Sequence, residues 1–267
     1  MIKLVVTDLD GTFLNSQGTF DIALFNEVHE EMKRKGITFV ACTGKQCERV
    51  EKLFGQHGRG VWILGDSAAR IKKDGQLVRE FSMEPALALQ AIQEIQSFDP
   101  QMTIIVCASD AAYVHTSISD EMYDVVKGSY EQVIKTDSFA GISTSFIKIT
   151  VFDTQGRCTA LRKHVEQTME GQIYIVDSEP RWLDITALHT HKGETVKKLQ
   201  EMLGVTSRET MSFGDGENDV ELMAIAKYSF AVSNACENTK RAAQFITKSN
   251  DENGVLRTIQ AIMDLQE

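Results

Sequence analysis

Three prolines, two tryptophans and five cysteines are all that 267 residues contain of those types. So little proline, with no low-complexity tract, predicts a chain that is folded throughout. The cysteines, Cys42, Cys47, Cys107, Cys158 and Cys236, are scattered, odd in number and form no CxxC pair. That pattern argues against a disulfide framework or a structural zinc site and for a reducing, cytoplasmic setting. A basic surplus is missing as well. The formal net charge is -10, which argues against a general nucleic-acid binder but not against a phosphate ligand, since a local cation can reverse a local field. No apolar run is long enough to cross a bilayer and no leader-like stretch precedes the first strand, so no membrane partner is expected. The apolar fraction of 42% supports a real core, and the length allows one large or two smaller domains. Every apolar stripe is usable as core, so none assigns an oligomeric state.

What is present is an alternation. Residues 2–7 read as a strand, and Phe20, Leu24, Val28 and Met32 recur every four residues as an amphipathic helix stopped by Gly36. A second strand follows at 37–42, then a short helix through Val50, Leu53 and Phe54, then a third strand at 61–64. This order predicts parallel pairing with right-handed crossovers. After a hairpin signal at Asp74-Gly75 the texture changes. Between 83 and 187 strands no longer alternate strictly with crossover helices. The alternation then resumes with a helix over 192–203 and strands at 210–213 and 229–232. The expected fold is α/β: a Rossmann-like parallel core from residues 1–82 and 188–267, with an inserted α/β cap of mixed or antiparallel sheet at 83–187.

The first strand delivers Asp8-Leu9-Asp10-Gly11-Thr12 at its carboxyl end, where open α/β sheets place their ligand crevice. Two carboxylates one residue apart repel unless a cation stands between them, and oxygen ligands in a compact turn suit magnesium. Gly11 permits backbone shapes that let turn amides face an anion. A polar turn after a strand explains this stretch equally well taken alone. The second acidic cluster, Gly214-Asp215-Gly216-Glu217-Asn218-Asp219, weighs more. An acidic helix start accounts for one acid through the helix dipole, but not for a strand-end position, two glycines and an amide together. Thr43-Gly44 offers a hydroxyl and an amide to phosphate oxygens, though turns favour that pair too. Lys192 opens a helix, the end the dipole disfavours for lysine. It either offsets the charge of phosphate and carboxylates or is a solvated surface residue. His115, His189 and His191 lack the partners of a zinc set and read as surface or substrate-facing residues, with His191 near the crevice. Trp62 and Trp182 read as packing residues, and Cys42 as a buried thiol without an adjacent base.

Taken together, Asp8-Leu9-Asp10-Gly11-Thr12, Thr43-Gly44, Lys192-Gly193 and the 214–219 cluster resemble the four motifs of the haloacid dehalogenase superfamily. Their order and spacing resemble the Cof-type phosphatases, a branch with a large α/β cap between the second and third motifs. The resemblance implies that Asp8 is a nucleophile forming an aspartyl-phosphate. It implies that Asp10 protonates the leaving oxygen and then activates water. Thr43, Gly44, Lys192 and the Leu9 position would bind the phosphoryl group. Asp8, Asp215 and the Asp10 main-chain oxygen would bind Mg2+, with Asn218 and Asp219 in support. Three positions depart from the branch. Lys45 stands where arginine is usual, Asp66-Ser67-Ala68 replaces Asn-Gly-Ala, and Asp184 replaces glutamate. Lysine cannot make arginine's planar bidentate contact, and Asp66 would repel an anion or bind a sugar hydroxyl. Lys45, Asp66 and His191 are therefore the candidate substrate-facing residues.

The expectation is a magnesium-dependent phosphomonoester hydrolase acting on small phosphorylated metabolites such as sugar phosphates. Two rivals remain: an intramolecular phosphotransferase or mutase using the same nucleophile, and a non-catalytic phospholigand-binding regulatory protein.

Overall fold

The computed structural model describes residues 1–179 and 181–266. Pro180, within the expected cap, and Glu267, the last residue of the expected 188–267 segment, lie outside the described residues.

The chain opens with β1 (Leu4–Thr7), α1 (Ile22–Arg34), β2 (Thr38–Cys42), α2 (Cys47–Phe54) and β3 (Trp62–Gly65). The hairpin β4 (Arg70–Lys73) and β5 (Gln76–Glu80) follows. Next come α3 (Pro85–Phe98), β6 (Thr103–Ala108), β7 (Ala112–His115), α4 (Asp120–Ser129), β8 (Val133–Thr136), β9 (Phe146–Phe152), α5 (Cys158–Thr168), β10 (Ile173–Glu179) and β11 (Trp182–Ala187). The chain closes with α6 (Lys192–Leu203), β12 (Thr210–Gly214), α7 (Val220–Ala224), β13 (Tyr228–Val232), α8 (Glu237–Ala242), β14 (Phe245–Thr247) and α9 (Gly254–Asp264).

Among the described residues these strands form two sheets. The core sheet has eight strands in the order β14-β13-β12-β1-β2-β3-β4-β5, parallel except for the β4–β5 hairpin on its edge. The cap sheet has six strands in the order β10-β11-β9-β6-β7-β8, antiparallel except where β8 joins β7. The core sheet thus draws strands from both ends of the chain, and the cap sheet only from between them.

Alternation along the core strands feeds two apolar layers. Val5, Phe39 and Ala41 face one side, against α1, α2 and α9, in a cluster that includes Phe13, Phe20, Phe25 and Phe54. Leu4, Val6, Val40 and Cys42 face the other, against Val196 and Leu199 of α6 and Leu222 and Met223 of α7. Strands covered by helices on both faces read as continuous apolar runs, as β1 and β2 do.

Two local features differ from expectation. A strict four-residue spacing drifts about 40° per step around a helix. In α1 the buried face is accordingly Phe25, Val28, His29 and Met32, with Leu24 only half-buried. Strand β8 carries no alternation that the sequence reading could use; Val133, Ile134 and Thr136 are half-buried and Lys135 is exposed.

The strand order places the site. β2 and β3 lie on one side of β1, and β12, β13 and β14 on the other. The order therefore reverses at β1, and such a switch opens a crevice at the carboxyl ends of the strands. The β1–β12 register sets Thr7 opposite Phe213, so the next residues out of each strand bring Asp8 and Asp215 to one spot.

Candidate active site

Asp8 leaves β1 in an extended conformation, and its amide donates to the Phe213 carbonyl at 3.0 Å. The chain then makes one tight turn over Leu9–Phe13, with Gly11 at φ +74°. A side chain at Gly11 would strike the Asp215 carboxylate, so the close approach as well as the φ requires glycine. Thr12 donates its hydroxyl to Asp215 Oδ1. The Leu9 side chain is buried in the core, which leaves only its backbone to face the site.

Lys192, at the start of α6, lies between two acids. Its Nζ is 2.7 Å from Asp8 Oδ1 and 2.7 Å from Asp219 Oδ1. Asp219 also accepts from the amides of Asp215 and Gly216, each at 3.0 Å. With both oxygens so engaged, Asp219 acts as a brace that orients the lysine and closes the turn. This explains the four-residue spacing from Asp215 to Asp219 and why Asp219 is fully buried.

The electrostatics of the cluster are unbalanced. Asp8, Asp215 and Asp219 offer oxygens that all lie within 4.8 Å of one another. Burial pushes the Asp8 carboxyl well above its ordinary range, more than Lys192 draws it down. Burial likewise raises Asp215, to about 6, against the hydrogen bond from Thr12. Burial works against the charged form of Lys192, but Asp219 and Asp8 outweigh it and hold the ammonium above its usual range. One ammonium among these carboxylates leaves surplus negative charge in a buried place. Oxygen-only donors with surplus charge fit a hard divalent cation.

Thr43 follows β2 into the same crevice, buried, with its amide on the Leu64 carbonyl at 2.9 Å and its hydroxyl accepting from the Lys45 amide at 3.2 Å. Gly44, Lys45 and Asn218 join Asp8, Asp10 and Asp215 in lining a cleft of about 680 Å³. Asp10 is exposed in this cleft and pairs with Lys45 at 2.9 Å.

Two expected substrate-facing residues point elsewhere. Asp66 is 2% exposed and its carboxylate accepts from the Cys47 amide and Arg70, each at 3.3 Å. A left-handed φ of 55° turns it away from the cleft and into the core. His191 stacks on Tyr174 with ring centroids 4.8 Å apart, outside the cleft lining. His115 and His189 are exposed and likewise do not line the cleft. Cys42 is buried, and burial pushes its thiol far above the range of a nucleophile.

Several residues of this cleft escaped the sequence reading. Arg49 and Lys52 come from α2, and Tyr130, Lys148 and Thr150 come from the cap. Trp182 packs on Phe152 with centroids 4.4 Å apart, as a packing residue should, yet it also lines the cleft. Lys148 had a legible signal: it is the one charged residue in the strand sequence Phe146–Phe152.

Comparison with known proteins agrees with this architecture. Residues 5–259 match the family described as haloacid dehalogenase-like hydrolase. The chain is 26% identical over 262 residues to the 5-amino-6-(5-phospho-D-ribitylamino)uracil phosphatase YbjI of Escherichia coli, covering 98% of this chain and 96% of that one. The crystal structure of SMU.1108c from Streptococcus mutans superimposes with a TM-score of 0.93 at 27% identity, covering 99% of this chain and all of the other. TM0651 from Thermotoga maritima shares the fold, with a TM-score of 0.82 at 20% identity over 98% of this chain and 97% of its own.

Proposed function

The chain belongs to the haloacid dehalogenase-like hydrolases, and from that premise we propose that it hydrolyses small phosphate monoesters with Asp8 as nucleophile. The observation that carries this reading is the Lys192 ammonium, held at 2.7 Å from both Asp8 and Asp219 beside Asp215. That arrangement aims one carboxylate at the cleft while offsetting part of its charge.

An Asp8 oxygen attacks phosphorus, and the bond to the leaving oxygen breaks. Asp10, exposed in the cleft, gives its proton to that oxygen. Asp10 then takes a proton from water, which attacks the aspartyl-phosphate, and the Asp8–phosphorus bond breaks to give inorganic phosphate. Thr43, Gly44 and the Leu9 backbone hold the phosphoryl oxygens, and Lys192 offsets their charge. Asp8, Asp215 and the Asp10 main-chain oxygen would hold Mg2+, which when bound supplies the remaining charge neutralisation. Asn218 and Asp219 support that group. The segment 83–187 serves as the cap that excludes water and seats the substrate.

Sugar phosphates are the substrate class, and the name of the Escherichia coli relative adds a phosphorylated ribitylaminouracil to the panel. The test is release of inorganic phosphate from that panel with Mg2+. Wild type should turn over, and Asp8→Asn should lose about 10⁴-fold or more in kcat. Turnover to a phosphate isomer without free phosphate would make the protein a mutase. Tight binding without any turnover would make it a regulatory binder.

A further inference from the structure

The seven residues of β9, Phe146–Phe152, are all buried, Lys148 among them at 2% exposure. A lysine in such a place is tolerated only when each of its donors is matched. An ammonium has three donors and no acceptor. Lys148 Nζ spends them on Asp184 Oδ2 at 3.1 Å, the Gly44 carbonyl at 3.0 Å and the Ser67 hydroxyl at 3.3 Å. Asp184 lies on β11 in the cap sheet beside β9. Gly44 and Ser67 belong to the core, on the loops that follow β2 and β3. Asp184 also accepts from Ser67 and, at 2.7 Å, from Thr150. Lys148 thus lines the cleft with its donors already committed, and what it holds is the Gly44 carbonyl.

The core side of this node is strained. Asp66, Ser67 and Ala68 take φ of 55°, 58° and 64° in succession. Left-handed backbone brings Cβ against the following carbonyl oxygen, so side-chain-bearing residues avoid it. The turn is secured by Asp66, through Arg70 and the Cys47 amide. What it presents to the cap is the Ser67 hydroxyl. Such strain persists only where the surroundings over-determine it.

We propose that Lys148 is a positioning residue that makes the Thr43–Lys45 loop depend on cap closure, through the Gly44 carbonyl. This rests on the reading of that loop as the phosphate cradle. When the cap lifts, Lys148 and Asp184 travel together, because both sit on the cap sheet. The Gly44 carbonyl and the Ser67 hydroxyl then lose their donor. The Gly44 carbonyl shares its peptide with the Lys45 amide, which donates to the Thr43 hydroxyl, so a turn of that peptide disturbs the Thr43 side chain assigned to the phosphoryl group. Closure of the cap and alignment of the cradle become one event.

The test compares wild type with Lys148→Met and with Lys148→Met/Asp184→Asn. The single substitution leaves Asp184 buried and unpaired and should lower Tm. The double removes both charges and should recover most of that loss, since discharging a buried pair together is far milder than breaking it. Positioning predicts that both variants lose about 10²-fold in kcat, with KM changed by less than about threefold. It also predicts that deuterium uptake without substrate rises about tenfold or more at residues 43–46 relative to β12, a strand that general loosening would affect equally. A double variant with wild-type kcat overturns the proposal, because the lysine would then only balance Asp184. Unchanged uptake at 43–46 overturns it whatever kcat does. If wild type turns over no phosphomonoester, the functional reading fails by itself, and the uptake at 43–46 still decides the role of Lys148.

Discussion

Lys192 and Lys148 are equally buried, at 3% and 2% exposure, and both are clamped by acids, yet their surroundings differ in kind. Lys192 and its partners Asp8 and Asp219 all belong to the core, so both ion pairs lie within it. With Asp215 adjoining, the acids there outnumber the lysine. Lys148 faces one carboxylate, Asp184, and its remaining donors go to uncharged oxygens across the joint between cap and core. The first cluster has charge left over and fits a divalent cation. The second is balanced, and its hydrogen bonds run to both cap and core. One ammonium therefore marks the site of the proposed chemistry, and the other the contact through which the proposed closure would act.

Removing Lys192 should show the larger effect. Lys192→Met leaves Asp8 and Asp219 buried without their counter-ion, and breaking such a pair costs about 3–5 kcal/mol. Urea titration should show that loss, and phosphate release should fall about 10³-fold or more. A Lys192→Met protein of wild-type stability would mean that the acids were already neutral, and the contrast with Lys148 would vanish.

His29 sharpens the comparison, because it is a buried basic group with no buried acid to hold its charge. It is 4% exposed and stacks on Phe25 with centroids 5.0 Å apart. Burial, with Lys33 adding to it, lowers its pKa to about 4. The folded value lies below the unfolded value near 6.5, so between those pH values the unfolded chain binds more protons. Stability should be unaffected by His29 above pH 7 and should fall as pH drops through 6.5 toward 4, by about 2 kcal/mol at pH 5. Denaturation midpoints at pH 7.5 and pH 5 check this, with His29→Leu expected to flatten that part of the slope.

The smallest effect is expected at the exposed bridge across the mouth. Glu131 meets Arg49 at 3.1 Å and Lys52 at 3.3 Å, with side chains between 31% and 70% exposed. Solvent-screened pairs of this kind contribute about 0–1 kcal/mol. Glu131→Gln should shift Tm by no more than a degree or two and alter KM by less than about threefold. A larger change would show that the rim, and not the buried node, governs closure.

Legibility followed the backbone. Asp8, Asp215 and Lys192 could be singled out because each sits where an apolar run ends or a helix begins, and strand ends in such a sheet converge. Asp66 also ends a strand, yet the left-handed turn aims it at Arg70. Its direction depends on one φ angle that composition does not encode, since asparagine and aspartate tolerate both signs. His191 is turned by Tyr174, a partner from β10 in the cap. Lys148 was readable as an anomaly in a buried strand but not as a joint, because Gly44 is 104 residues away.

The sequence by itself determined the alternation of strands and helices, the interruption by a differently patterned segment, and the acids and glycines at the strand ends. Periodicity and turn chemistry are local, and local rules suffice for those. Only the tertiary structure decided which carboxylates share the Lys192 ammonium, that Asp219 braces the turn, and that Lys148 reaches from cap to core. Those outcomes hinge on ångström-scale register between segments far apart in the chain, and burial makes each unmatched charge too costly for any other arrangement.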